Sequence, residues 1–213
     1  WGAMRAADYL LAEPWVSAAD GFPAVDATSL IVTGHSRRGK AAMLAGAFDE
    51  RFALVAPNGS GCGGAGSYRV RGFRAETLGA ITSPDRYKAW FQQDFGRFAG
   101  READLPFDQH FLRALVAPRR ILSTDATGDL WANPVGTQAV YEAAQPVFDF
   151  LDVGRHNAIH FRKGKHAYLH EDFEALMDFA DAAFFGAPVD RDYHDPPFPS
   201  NFPIPYEAPR QPQ

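Results

Sequence analysis

The chain has 213 residues, 46% of them hydrophobic, enough for one domain with a sizeable core and too apolar for a disordered segment. A formal net charge of −5 gives no electrostatic footing for nucleic acid, and no apolar run is long enough to span a bilayer. Cys62 is the only cysteine, so an internal disulfide is excluded and the redox compartment cannot be read from it. Trp1 comes first with no signal peptide ahead of it, so the chain reads as mature or truncated, with its natural start upstream.

Taken in order, residues 4–12 are helix-like, with Ala, Leu and Met on one face; Pro14 and the turn cluster at 20–23 end that element. Residues 29–33 form a short apolar run suited to a parallel strand covered on both faces. A tight turn carrying Ser36 follows, then a helix predicted over 39–48. A second strand is expected at 52–56, and a Gly-dense loop runs from 58 to 66. Residues 84–115 read as a broken helix with aromatic clusters at Trp90-Phe91 and Phe107. A third strand is expected at 119–124, a polar loop from 125 to 133, and a helix from Pro134 to about residue 151. The fourth strand falls at 157–161. The last helix, 171–185, is expected to turn Phe173, Leu176, Met177, Phe179 and Ala180 inward. Beyond Gly186 lie eight of the 16 prolines, so a catalytic domain over 1–186 and a proline-rich tail over 187–213 are expected.

Strand-helix alternation of this kind implies an open parallel α/β sheet, in which ligands bind beyond the carboxyl ends of the strands. The loops after the four strands carry a serine, then acids, then a histidine. Ser, Asp, His is the chain order of the α/β-hydrolase fold, the fold class expected here.

The segment from Gly34 to Lys40 is ambiguous on its own. A nucleophile elbow, G-x-S-x-G, uses Ser36 but finds Arg38 where its second Gly belongs. A phosphate loop, G-x-x-x-x-G-K, uses Gly34, Gly39 and Lys40 but finds Ala41 in place of the hydroxyl that binds magnesium. As a nucleophile Ser36 needs a base, and His166, next to Gly164 after the last strand, is the best placed. His170 reads as a helix-start residue and His160 as packed core, and His35, His110, His156 and His194 have no comparable position. The base needs an acid to orient it, and Asp129 and Asp125 compete for that role. Arg37 and Lys40 put cations at a helix N-terminus, where they are unfavourable, which points to an anionic group or a developing oxyanion nearby. No His or Asp falls at zinc or calcium ligand spacing, so no metal and no cofactor is expected.

Gly34-His35-Ser36-Arg37-Arg38-Gly39-Lys40 resembles the G-[CH]-S-R-x-G-K signature of the glucuronoyl esterases, carbohydrate esterase family 15. The likeness continues through Ser60-Gly61-Cys62-Gly63-Gly64, Leu105-Pro106-Phe107-Asp108-Gln109-His110, Ala117-Pro118-Arg119, Asp129-Leu130-Trp131-Ala132-Asn133-Pro134, Gly164-Lys165-His166 and Asp178-Phe179-Ala180-Asp181. His35 and the Ser-Gly-Cys-Gly-Gly loop look like the bacterial branch. The resemblance implies a serine esterase that cleaves esters between 4-O-methyl-glucuronate on xylan and lignin alcohols. Ser36 then matches the nucleophile, His166 the base and Arg37 an oxyanion-stabilising residue. Lys40 matches a lysine on the sugar hydroxyls, Glu76 a sugar-binding glutamate and Trp131 a substrate-contacting tryptophan. Many members carry the triad glutamate just before the Ser-Gly motif, where this chain has Gly59; others use an aspartate that Asp129 matches, so this chain resembles the Asp-using type. Family domains are longer, with further strands before the first helix seen here. The implied partner is glucuronoxylan or a lignin-carbohydrate ester, met by a secreted or periplasmic monomer that binds neither nucleic acid nor membrane. An acetyl xylan esterase-like enzyme and a catalytically silent carbohydrate-binding relative are the alternatives.

Overall fold

The computed structural model describes residues 1–12, 24–87 and 89–200. The turn expected over 14–23 and the end of the proline-rich tail, 201–213, lie outside the described residues.

Four strands, β1 (Leu30–His35), β2 (Phe52–Asn58), β3 (Arg120–Ala126) and β4 (Asn157–Arg162), pair in chain order, all parallel. Side chains alternate across each strand, and both faces are covered. Val55 packs with Ala42, Met43 and Phe148 on one face, while Leu54 and Ala56 meet Leu176 and Phe179 on the other. The first face carries α1 (Gly2–Leu10), α2 (Arg37–Phe48) and α5 (Pro134–Phe150); the second carries α6 (His170–Phe185). Burial on both sides explains why the strands read as apolar runs rather than as alternating patterns. Register then lines up the carboxyl ends. His35 is opposite Asn58, Asn58 opposite Thr124, and Thr124 opposite His160, so the loops after all four strands emerge side by side.

Several elements differ from the sequence expectation. α2 starts at Arg37, not at residue 39, because Ser36 sits at φ 58, ψ −126 and the helix begins directly after it. β3 runs on to Ala126, which takes Asp125 out of the loop and into the strand. Residues 84–115 are not a broken long helix. They form 3-10 turns at Gln93–Phe98 and Glu102–Asp104 and the short α4 (Gln109–Ala114), preceded by α3 (Leu78–Ile81). Their aromatic spacing serves a separate small core instead, in which Trp90, Phe91, Phe95 and Phe98 pack against Cys62, Tyr68, Leu78 and Ile81. On α6, Leu176, Phe179 and Ala180 are buried, but Phe173 and Met177 face outward. His160 is half-buried beside Arg191 rather than enclosed in the core. Past Gly186 the chain packs on the domain as far as it is described: the Tyr193 hydroxyl donates to the Ala175 carbonyl (2.6 Å) and the Phe198 N–H to Gln138 Oε1 (2.9 Å).

Candidate active site

The turn from β1 to α2 is built on close approach. A Cβ on Gly34 would lie 2.5 Å from the Arg38 carbonyl oxygen, and one on Gly39 2.8 Å from the Gly34 carbonyl oxygen. Gly39 therefore supplies the close packing that an elbow usually takes from the position Arg38 occupies. Ser36 is held in its left-handed conformation by its N–H bond to the Asn58 carbonyl (2.9 Å). Its side chain caps no N–H of α2 and is free to meet His166. Strain of this kind, at roughly 1–3 kcal/mol, persists only where the surrounding structure enforces it.

The Ser36 Oγ lies 3.0 Å from His166 Nε2, and His166 Nδ1 lies 2.5 Å from Asp129 Oδ2. Three residues from three different strand ends thus form one hydrogen-bonded line. Asp129 is 5% exposed, and its other oxygen accepts from the Ala132 N–H (3.3 Å). Asp125 is 1% exposed within β3, and burial together with the nearby Asp129 pushes its carboxyl well above the usual range. It does not reach the imidazole.

The hydrogen bond to Asp129 raises the His166 pKa above its ordinary 6.5, against an opposing effect of burial. A base must be neutral to accept a proton, so function is lost as pH falls through that raised value. We expect an NMR titration of the His166 ring to give a midpoint above 6.5 that moves down in Asp129→Asn. An unchanged midpoint would place the source of the shift elsewhere.

Arg37 is exposed and has no ion-pair partner among the described residues. As the first residue of α2 its N–H has no acceptor within the helix, so a free backbone donor stands next to Ser36, and the adjoining guanidinium is unpaired among the described residues. Lys40 is different. It is 8% exposed, and its ammonium donates to the Ser60 carbonyl (2.8 Å), the Cys62 carbonyl (2.7 Å) and Glu76 Oε2 (2.6 Å). An ammonium has three N–H groups, and all are taken. No donor remains for a phosphate, which removes the phosphate-loop alternative, and none remains for a sugar hydroxyl unless one of these bonds breaks. Glu76 is 3% exposed; burial raises its pKa while the ammonium of Lys40 opposes that. Trp131 accepts the Glu76 N–H on its carbonyl (2.9 Å) and is 42% exposed. The structure therefore joins Lys40, Glu76 and Trp131 into one unit beside the Ser36–His166–Asp129 line.

Two sets of residues escaped the sequence reading. His35 Nδ1–H donates to Asn58 Oδ1 (2.6 Å), and the ring lies against that of His166, 4.5 Å between centroids. The sequence signals were its place next to Ser36 and in the family signature, neither of which shows a contact with His166. Asp108 and Gln109 hold the Gly-dense loop: Asp108 accepts from the Ser67 hydroxyl and the Tyr68 N–H, and Gln109 Nε2 donates to the Gly64 carbonyl (2.6 Å). A cleft of about 630 Å³ also touches Arg37 and Lys40, but it runs along α2 over Leu44, Trp90 and Phe91, and Ser36 and His166 do not line it. Among the described residues there is no cluster fit to hold a metal ion and no helix long and apolar enough to cross a membrane.

Comparison with known proteins fits this geometry. The family model described as "Glucuronyl esterase, fungi" matches residues 1–152. The chain is 38% identical over 172 residues to carbohydrate esterase MZ0003 of an unknown prokaryotic organism, covering 74% of this chain and 39% of that protein. It is 32% identical over 189 residues to a 4-O-methyl-glucuronoyl methylesterase of Phanerochaete carnosa, covering 83% of this chain and 45% of that one. A solved carbohydrate esterase family 15 glucuronoyl esterase from Caldicellulosiruptor kristjansonii superposes with a TM-score of 0.83 at 37% identity, covering 93% of this chain and 52% of the other. The chain spans less than half the length of the curated relatives named here. The sheet, the elbow and these matches together establish an α/β-hydrolase fold, and the chain belongs to the glucuronyl esterase family.

Proposed function

We propose that this chain carries the reaction centre of a serine carboxylesterase acting on glucuronate esters. The observation that carries the reading is the line from Ser36 Oγ through His166 to Asp129. His166 Nε2 takes the Ser36 proton as Oγ attacks the ester carbonyl carbon. The tetrahedral oxyanion meets the Arg37 donors. Collapse expels the alcohol, which takes the proton from His166, and leaves an acyl group on Ser36. Water activated by the same His166 then releases the acid. Glu76 and Trp131, organised by Lys40, supply the polar wall expected for a sugar. Solved relatives support the substrate class: one structure, of a mutant glucuronoyl esterase from Sporotrichum thermophile, is described as a complex with methyl 4-O-methyl-beta-D-glucopyranuronate. It has a TM-score of 0.67 at 26% identity, covering 76% of this chain and 45% of the other. On this reading the catalytic portion is residues 1–186, with residues 187–200 packed on it. The polymer substrate places the enzyme outside the cytoplasm.

The test is a panel of methyl glucuronate ester, acetylated xylan and an unfunctionalised acetyl ester. Preference for the glucuronate ester supports the reading. Preference for acetyl esters would favour an acetyl esterase, and no hydrolysis of any would favour a silent binding relative.

Arg37→Ala is expected to lower kcat on the glucuronate ester roughly a hundredfold or more while KM changes little. Charge appears on the carbonyl oxygen only as the tetrahedral intermediate forms, so donors beside Ser36 act mainly on the transition state. Steady-state kinetics separate the two constants, and a rise in KM with full turnover would make Arg37 a substrate-binding residue only.

A further inference from the structure

We propose that His35 is a positioning residue that holds the ring plane of His166 over Ser36; the inference rests on the reading of His166 as the general base. Asp129 fixes only one atom of the His166 ring, Nδ1. The longer bond from Nε2 to Ser36 (3.0 Å) holds the other end loosely, so rotation about Cβ–Cγ still tilts the ring and moves Nε2 off Ser36. The backbone of the loop is restrained, since Arg162 donates to the Lys163 carbonyl (3.0 Å) and the Ala167 carbonyl (2.6 Å). Those bonds do not restrain the ring. The contact against its face comes from His35, tilted 38° at 4.5 Å.

His35 is well suited to bear that contact because it is itself anchored in the sheet. Its Nδ1 pairs with Asn58 Oδ1, and Asn58 Nδ2 donates to the Thr124 hydroxyl (2.7 Å). This network makes Asn58 Oδ1 the acceptor and puts the proton of His35 on Nδ1. Asn58 and Thr124 are both buried, so the anchor runs through β2 into β3. His35 also stacks with Tyr168 (5.8 Å, 20°), which stacks in turn on Phe173 (4.0 Å, 21°). The Tyr168 hydroxyl lies 3.0 Å from Thr33 Oγ1, a second tie between β1 and the loop that carries His166. Gly59 lies close by: a Cβ added there would be 3.5 Å from His35 and 3.6 Å from His166. This ring column also explains why Phe173 faces away from the core.

The consequence is specific to turnover. A base displaced by a fraction of an ångström transfers protons poorly, while the sugar wall of Glu76 and Trp131 is untouched. In the intact protein, His35→Ala is expected to lower kcat on a glucuronate ester roughly ten- to a hundredfold, with KM within about twofold of wild type. His35→Phe keeps a ring face against His166 but loses the bond to Asn58, and it is expected to recover most of the lost turnover. Wild-type kcat in His35→Ala, or equal losses in kcat/KM through KM alone, would overturn the proposal. So would a His35→Phe protein no faster than His35→Ala. Thermal melts accompany both variants; if His35→Ala does not fold, His35→Phe decides alone, near-wild-type kcat supporting the proposal and a tenfold or larger loss overturning it. Ser36→Ala is run beside them. Its loss of activity shows that the esterase reading stands, so that failure at His35 counts against this inference only.

Discussion

Asp129→Asn is expected to cut turnover on a glucuronate ester by roughly ten-thousandfold while leaving the fold intact. The carboxylate that accepts from His166 Nδ1 does two things: it fixes the tautomer with a free Nε2, and it stabilises the imidazolium that forms when Ser36 gives up its proton. An asparagine amide can instead donate to Nδ1. The ring proton then sits on Nε2, where it blocks proton transfer from Ser36. Asp125 cannot take over, because it lies inside β3 and does not reach the ring. Steady-state kcat beside a thermal melt checks the expectation. Near-normal turnover in Asp129→Asn together with loss in Asp125→Asn would exchange the two assignments.

The second large effect is on stability. Lys40→Met is expected to destabilise the protein by about 3–5 kcal/mol, because it leaves the Glu76 carboxyl buried without its cation. It also frees the Ser60 and Cys62 carbonyls that curl around the ammonium. The sign of the pH dependence follows from Glu76, whose folded pKa burial already raises. A group of that kind favours the folded state at low pH, and its contribution is lost as pH rises through the folded value. The variant should therefore be weakest at neutral pH and recover partly on acidification. Adding Glu76→Gln to Lys40→Met should restore part of the loss at neutral pH. Denaturation curves of the single and double variants decide, and a double variant no more stable than Lys40→Met would mean that the buried charge is not the cause.

The Ser36–His166–Asp129 line was the most legible part of this sequence. Each of its members follows a strand, and strand ends meet on one edge of a parallel sheet, so chain order suggested Ser36 and His166 and left Asp129 and Asp125 open, the family resemblance favouring Asp129. The same reasoning failed for Asp125, because a strand that extends two residues further turns a loop acid into a buried one. The surroundings of Lys40 were hidden for a different reason. Its acceptors are two backbone carbonyls and a carboxylate 20 to 36 positions away, and nothing in local spacing shows that a Gly-dense loop will fold back onto a helix. His35 shows the same limit, since its contact with His166 is made across the sheet edge. The aromatic stretch before α4 misled because its spacing resembles a helix, while its rings fill a small core beneath the glycine loop.

The most direct test of the central claim is the release of alcohol from a benzyl glucuronate ester by the intact protein and by its Ser36→Ala variant. The account predicts turnover by the first and none above the uncatalysed background by a folded second. Equal release by both, or no release by the unmodified protein, would contradict it.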